Sequence, residues 1–380
     1  MSDEGETPGS QPAQAPKRRR FLRALLFISV VLPSLVALVA GGVFLYGKSR
    51  YEARGSLAEP TIVWLQPGIG LTAITDRLHA AGAIDDPLIF RTAVRLTGAA
   101  GSLKAGEYEI AAYASMADIV RVLREGKSIV HRITIPEGLT SQQAMEIVKA
   151  DPVLTGDMPL LPPEGALLPE TYNFLRGTTR VGIVSRMQKS ATALMTELWP
   201  KRAAGLPFST PNEALILASI VEKETGLAAE RPRVAAVFVN RLRLPMRLQS
   251  DPTIVYGITR GAGPLGRPIR RSEIYRPTPY NTYQIDGLPP TPICNPGRAS
   301  IEAVLNPPAT DDLYFVADGT GGHAFAPSLA GHQRNVGNWR KIERQQVKQP
   351  EKPAETAPAK TSPAKAPATP IAAPKRPGGG

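Results

Sequence analysis

The chain has 380 residues, 42% of them hydrophobic, with 38 prolines, 34 glycines and a formal net charge of +12. That length and apolar content support more than one folded core, and the abundant turn residues imply segments outside it. Residues 1–23 carry five basic and three acidic side chains and residues 341–380 eight and three, which leaves +5 for everything between and excludes a nucleic-acid-binding role.

Residues 1–16 are polar and rich in Ser, Gly, Pro and Gln, a composition that predicts disorder. Lys17 to Arg20 and Arg23 then precede 23 uncharged residues, Ala24 to Tyr46. At 1.5 Å per residue this run spans the roughly 30 Å hydrocarbon layer of a membrane, and Pro33 within it is tolerable as a kink. The cationic flank places the N-terminus in the cytoplasm and the chain after Lys48 outside. A cleaved signal peptide is the alternative, but the apolar run is too long for one and Gly47-Lys48-Ser49-Arg50 is a poor cleavage site. The expectation is a basic disordered tail over 1–23 and a retained transmembrane helix over 24–46.

A faint repeat follows. Ile62–Thr72 reads as strand and Pro/Gly turn leading into a helix over Ile74–Ala81, and Ile133–Thr140 does the same ahead of a helix over Gln142–Ala150. Between them stand a strand, Leu103–Ile110, and a helix, Met116–Leu123, closed by Gly126. Strand–helix–helix–strand units of this size can bind sugar polymers or act as spacers. Residues 151–176 are Pro-rich and read as loop, and a helix runs from about Val181 to Trp199.

Ala214–Thr225, A-L-I-L-A-S-I-V-E-K-E-T, is an apolar run ending in two carboxylates, Glu222 and Glu224. On a helix they lie about 200° apart, so they cannot act as a close pair. Leu217, Ile220, Val221 and Glu224 share one stripe, while Glu222 falls with Leu215, Ala218 and Ser219. A carboxyl at the wet end of an apolar stripe holds its proton tightly and can be a general acid near neutral pH. The plainer alternative is a helix end whose glutamates are both solvated.

Glu230–Arg243 is an amphipathic, core-packing helix. Leu244–Pro308 turns Pro- and Gly-rich, with Asp251-Pro252-Thr253, Tyr280-Asn281-Thr282-Tyr283 and Gly287–Pro290 in it. Tyr, Asn, Gln and Asp on rigid loops suit a neutral, hydroxyl-rich ligand, and equally suit ordinary turns. Leu313–Ala317 and Gly321–Phe325 read as strand, glycine turn and returning strand, without the lysine of a phosphate loop. The lone cysteine, Cys294, excludes an intramolecular disulfide, and His323 and His332, nine apart, lack zinc spacing and a third ligand, so neither metal nor cofactor is expected. From Lys341 on, Ala, Pro and Lys dominate, which predicts a disordered tail over 343–380.

Taken together, I-T-I-P-E-G-L-T (133–140), L-P-E-T-Y-N-F (168–174), A-S-I-V-E-K-E-T (218–225), R-L-Q-S-D-P-T-I-V-Y-G (247–257), Tyr280–Tyr283, Gly287–Pro290, Asn295-Pro296-Gly297 and Phe315–His323 resemble the membrane-bound endolytic murein transglycosylases (YceG-like, MltG-like). The resemblance runs from about residue 45 to about 340, in the expected order. It implies an α+β chain with one N-terminal transmembrane helix, a LysM-like glycan-binding or spacer region over 56–200 and a mixed α/β catalytic domain over 205–342. It implies an inner-membrane, single-pass lytic transglycosylase whose periplasmic domain cleaves nascent peptidoglycan strands between N-acetylmuramic acid and N-acetylglucosamine. The product ends would be 1,6-anhydro, strand growth would terminate, and synthases of the elongation or division machinery would stand nearby. The family's catalytic glutamate carries over to Glu224, with Glu222 in reserve; Gln249, Asp251, Tyr280, Asn281, Tyr283 and His323 are expected to orient sugar or glutamate. A muramidase-type hydrolase using Asp251, and a non-catalytic wall-binding scaffold, are the competing readings.

Overall fold

The computed structural model describes residues 17–348, which form two compact units. The first takes the chain up to Pro136, with Ala144–Leu161 and Glu170–Lys189; the second takes Glu137–Gln143, Pro162–Pro169 and the chain from Ser190. Three stretches expected within the 56–200 region, 137–143, 162–169 and 190–200, therefore belong to the second unit.

In the first unit, α1 (Lys17–Glu52) is 36 residues long, far more than the 23 uncharged residues require. Its Leu25–Glu52 portion is long and apolar enough to cross a membrane, and the rest of the protein buries none of its apolar window. Residues 17–23, expected as disordered tail, are helical, because Lys, Arg and Leu are good helix formers that extend an established helix at little cost. Residues 1–16 lie outside the described residues.

Strand β1 (Thr61–Leu65) pairs antiparallel with β2 (Gly106–Ile110), Thr61 opposite Ile110 and Leu65 opposite Gly106. Between them run α2 (Leu71–Ala80) and α3 (Pro87–Leu96). Helix α3 was not foreseen, although Asp86 caps it by accepting from the amides of Leu88 and Ile89 and Pro87 opens it. Helix α4 (Met116–Glu125) starts on a Ser115/Asp118 capping box and stops at Gly126, whose φ of +73° an L side chain rarely adopts. Val63, Leu65, Leu78, Phe90, Val94, Tyr108, Ile119 and Leu123 close this core.

A second antiparallel pair joins β3 (Val130–Thr134) to β4 (Thr171–Leu175), with α5 (Ser141–Ala150) between them in the chain and α6 (Arg180–Leu198) after them. Strand β4 lies in the stretch expected to be loop. Its alternation is readable, since Tyr172 and Phe174 are buried and Thr171, Asn173 and Leu175 exposed, but Pro169 just before it masks the signal. Glu107, only 4% exposed, accepts from Arg176 at 2.9 Å and pairs with His131 at 2.5 Å, so one buried carboxylate joins the two strand pairs.

The second unit is built around α7 (Pro211–Glu224). Thr210 and Glu213 form its capping box, with Pro211 at the first helical position. The apolar stripe expected for this helix is in fact a sheath: Ala214 and every residue from Ile216 to Val221 is buried. Helices α8 (Arg231–Arg243) and α11 (Arg298–Leu305) pack on it through Val234, Phe238, Ile301 and Val304. The region expected as continuous loop contains α9 (Asp251–Thr259) and the one-turn α10 (Arg271–Ile274) as well as α11. Beta-branched Thr253, Ile254 and Val255 lower the apparent helicity of α9, and Pro252 sits where proline starts a helix rather than breaks one.

Strands β5 (Tyr314–Ala317) and β6 (His323–Ala326) form the foreseen glycine-turned pair, Ala317 opposite His323. Gly319 has φ +87°, and a Cβ there would stand 2.7 Å from the Ile342 side chain. That isoleucine belongs to α12 (Leu329–Lys348), which packs on both strands. The tail expected from 343 thus begins as helix to Lys348; residues 349–380 lie outside the described residues.

Candidate functional site

Glu224 is the last residue of α7, where the chain turns extended at Thr225. Its partly buried carboxylate accepts a hydrogen bond from Ser250 Oγ at 2.5 Å. Ser250 is itself fixed: its amide donates to Thr282 Oγ1 at 2.9 Å, and its carbonyl accepts from Thr253 Oγ1 at 2.6 Å. The hydroxyls of Thr253 and Thr282 meet at 2.9 Å, and all three side chains are buried. Gln249 leads into this knot at φ +52°, its amide donating to Thr282 O at 3.1 Å, while its own side chain is exposed. A non-glycine residue in the left-handed region costs of the order of 1–2 kcal/mol, so the surrounding bonds hold a strained turn beside the carboxyl.

Burial pushes the Glu224 carboxyl from an ordinary 4.5 up to about 7; the Ser250 hydroxyl opposes that rise, Asp251's charge adds to it, and His323 and Arg241 oppose it again. Arg241, on α8, is buried, and burial lowers its affinity for its proton. Its guanidinium donates to Leu248 O and Leu313 O, both at 2.7 Å, so it braces the strained turn and the entry to β5.

Among the residues expected at the site, the structure gathers Asp251, Tyr283, Gln249 and His323 near the glutamate. Tyr283 donates its hydroxyl to Asp251 at 2.8 Å, and burial with this bond lifts the phenol well above its usual range. His323 donates its backbone N–H to Glu230 at 2.9 Å and pairs its Nδ1 with the other oxygen at 2.7 Å, edge-on to Phe315. Tyr280 and Asn281 are occupied otherwise. Tyr280 is buried with its hydroxyl 2.7 Å from Thr291 Oγ1, and Asn281, 1% exposed, gives its amide nitrogen to the carbonyls of Glu273, Ile274 and Arg276. Both shape the loop that presents Tyr283, whose amide donates to Asn281 Oδ1 at 3.0 Å.

Glu222 faces away, as the helical count requires, but it is not solvated. Its side chain is 6% exposed, accepts from the Gly297 amide at 2.9 Å and lies 3.8 Å from Arg231. Glu137, half-buried, lies 3.9 Å from the same guanidinium, and desolvation together with Glu222 raises its carboxyl. Glu222 and Glu224 are thus both bound by the protein, one to the Gly297 amide and the other to Ser250. Sequence reasoning passed over Ser250, Thr253, Thr282, Arg241 and Glu230. Serine and threonine are too common to stand out, and Arg241 and Glu230 lie on or beside a helix whose apolar spacing reads as packing alone. No cluster of three or more His, Cys, Asp or Glu side chains suited to a metal occurs among the described residues.

One desolvated carboxyl raised toward neutrality, bonded by a fixed hydroxyl and bordered by aspartate, tyrosine and histidine, is an arrangement that can act as a general acid and base. The profile of the YceG-like family matches residues 63–338, and the chain belongs to that family. It is 30% identical over 332 residues to an endolytic murein transglycosylase of Bacillus subtilis, an alignment that covers 78% of this chain and 90% of that one. It is 29% identical to the protein of the same name from Streptococcus pneumoniae D39, over 82% of this chain and 64% of the relative. A crystal structure of a yceG-like protein from Listeria monocytogenes aligns at 29% identity and TM-score 0.45, covering 73% of this chain and 98% of that one.

Proposed function

We propose that the protein is a peptidoglycan lytic transglycosylase in which Glu224 is the sole proton carrier. The observation that carries the chemistry is the Glu224 carboxyl, bonded to Ser250 and raised to about 7, so that both protonation states are populated at neutral pH. Protonated, it donates to the oxygen joining N-acetylmuramic acid to N-acetylglucosamine as the C1–O bond breaks and an oxocarbenium-like centre develops. The carboxylate then removes the proton of the muramic acid 6-hydroxyl as O6 bonds to C1, closing a 1,6-anhydro ring. Glu224 ends protonated, as it began, and water is not consumed. Ordinary glycoside hydrolysis instead needs a second carboxyl to activate water or attack the sugar. Asp251 is engaged by the Tyr283 hydroxyl, which supports an orienting role.

The apolar helix within α1 supports a single-pass inner-membrane anchor, and the basic residues before it an N-terminus in the cytoplasm with the rest periplasmic. The antiparallel order β1–α2–α3–β2 supports a LysM-like glycan-binding or spacer role for the first unit, and a membrane-held enzyme acting on nascent strands would work beside the synthases that extend them. The test is mass spectrometry of glycan strands incubated with the full chain in detergent micelles, wild type beside Glu224→Gln. Internal 1,6-anhydro ends made only by the wild type are expected. Reducing ends would mean a hydrolase and point to Asp251, equal products from both proteins would point to Glu222, and intact strands would leave a wall-binding scaffold.

A further inference from the structure

A second feature of this unit lies along α9, away from the candidate acid. A cavity of about 280 Å³ is lined by Ile254, Gly257 and Ile258 of α9, by Arg260 just past its end, and by Glu273, Arg276 to Pro279 and Asn281. The segment around it is strongly basic: Arg260, Arg267, Arg270, Arg271 and Arg276 fall within 17 residues against one acid, Glu273. Glu273 is already neutralised, because Arg267 grips both its oxygens, at 2.5 and 2.9 Å, and holds its carboxyl down to about 2. Arg260 rests over the Tyr280 ring, 4.8 Å from its centre, and among the described residues neither it nor the exposed Arg276 has an acidic partner. The two guanidiniums in its lining, Arg260 and Arg276, therefore give the cavity a net positive character. Its frame is rigid: Asn281 ties the carbonyls of Glu273, Ile274 and Arg276 together, and prolines 277 and 279 stiffen the wall.

The cavity is joined to the candidate site by the same helix. Ser250, which bonds Glu224, immediately precedes α9, and Ile254 to Ile258 stand roughly 6–12 Å along it at 1.5 Å per residue. An extended peptide covers that distance in about two to four residues. Muramic acid, the sugar whose bond would be cut, bears a peptide rich in carboxylates on its lactyl group. We infer that the Arg260/Arg276 cavity is a subsite for a carboxylate of that peptide, so that the enzyme reads peptide-bearing strands. The inference rests on the transglycosylase reading of Glu224. Guanidinium geometry suits a carboxylate, and also suits phosphate oxygens, which a lipid-linked pyrophosphate end of a nascent strand would offer.

The experiment compares kcat and KM of the full chain in detergent on peptide-bearing strands and on strands stripped by an amidase, for wild type, Arg260→Ala/Arg276→Ala and Arg271→Ala. Arg271 lies over Tyr275, outside the cavity lining, and controls for a general loss of positive charge. A wild-type KM about tenfold lower on peptide-bearing strands is expected, the order of one charge-assisted hydrogen bond, with the difference lost in the double variant and kept in Arg271→Ala. No wild-type preference, or a preference that survives the double substitution, overturns the inference. Binding is read separately by titrating the Glu224→Gln protein with the amidase-released peptide and with inorganic pyrophosphate. If neither strand is cut, the transglycosylase reading has failed, and peptide binding lost in the double variant still upholds the subsite. Binding of pyrophosphate alone assigns the cavity to phosphate and overturns the peptide assignment.

Discussion

Ser250→Ala isolates the bond on which the proposed chemistry depends. The Ser250 hydroxyl donates to Glu224 at 2.5 Å and stabilises the charged carboxylate against the burial that raises it to about 7. A hydrogen bond to a charged group contributes roughly 1.5–3 kcal/mol, and each 1.36 kcal/mol is one unit of pKa, so its loss should move the carboxyl up by about one to two units. The first step needs protonated Glu224, so kcat/KM should fall as pH rises through that pKa. In the wild type the alkaline limb is expected near 7; in Ser250→Ala it should lie near 8 to 9, with a lower plateau at acid pH because the carboxyl is no longer held in place. Initial rates of strand cleavage between pH 5 and 10 measure both. A limb that stays put, or moves toward acid, would refute the assignment of Glu224 as the titrating acid.

Asp251→Asn should move the same limb the other way, by less, because Asp251's charge helps to raise the Glu224 carboxyl; a shift toward base would show that its bond to Tyr283 matters more than its charge. Glu224→Gln should stabilise the fold in a pH-dependent way. The folded wild-type carboxyl binds its proton more tightly than the unfolded one, so the stability the wild type draws from that proton is fully present below about 4.5 and lost as pH rises to about 7. The neutral amide should therefore gain at most about 3 kcal/mol over wild type at pH 8 and nothing at pH 4, read by thermal unfolding at both. Glu222→Ala should cost about 3 kcal/mol or more, because Arg231 and the Gly297 amide lose a buried partner, while the pH limb stays in place; a displaced limb would mean that Glu222 shares the chemistry.

Helices α4 and α7 were readable because their signals are local. Thr210-Pro211 with Glu213 marks the start of α7, Ser115 and Gly126 bracket α4, and the glycine turn between β5 and β6 lies in plain view. Helices α9 and α11 were not, since one is rich in β-branched residues and the other is eight residues behind a glycine cap. At the site, Glu224, Asp251, Tyr283 and His323 came from quoted motifs, whereas Ser250 and Arg241 depend on which loop the fold returns to the helix end. Tyr280 and Asn281 illustrate the converse. Polar and aromatic side chains that suit a sugar suit a loop's own carbonyls and hydroxyls equally well, and only burial separates the two uses.

The E-K-E triplet gains its meaning from the pitch of the helix. Successive residues turn by 100°, so three adjacent side chains leave the end of α7 in three directions. Glu222 reaches the Gly297 amide, which opens α11, and the neighbouring Arg231, which opens α8. Lys223 donates to the Gly138 carbonyl at 3.2 Å. Glu224 meets Ser250, which precedes α9. Two of the three therefore fasten the helix end to its surroundings, and the third is the proposed acid at the point they fix. A glutamate free to move would let water restore its ordinary acidity, so the raised carboxyl depends on the anchored pair beside it. Two chemically identical residues, two positions apart, come to stand in opposite environments because one is satisfied by an amide and a guanidinium and the other accepts from a single hydroxyl.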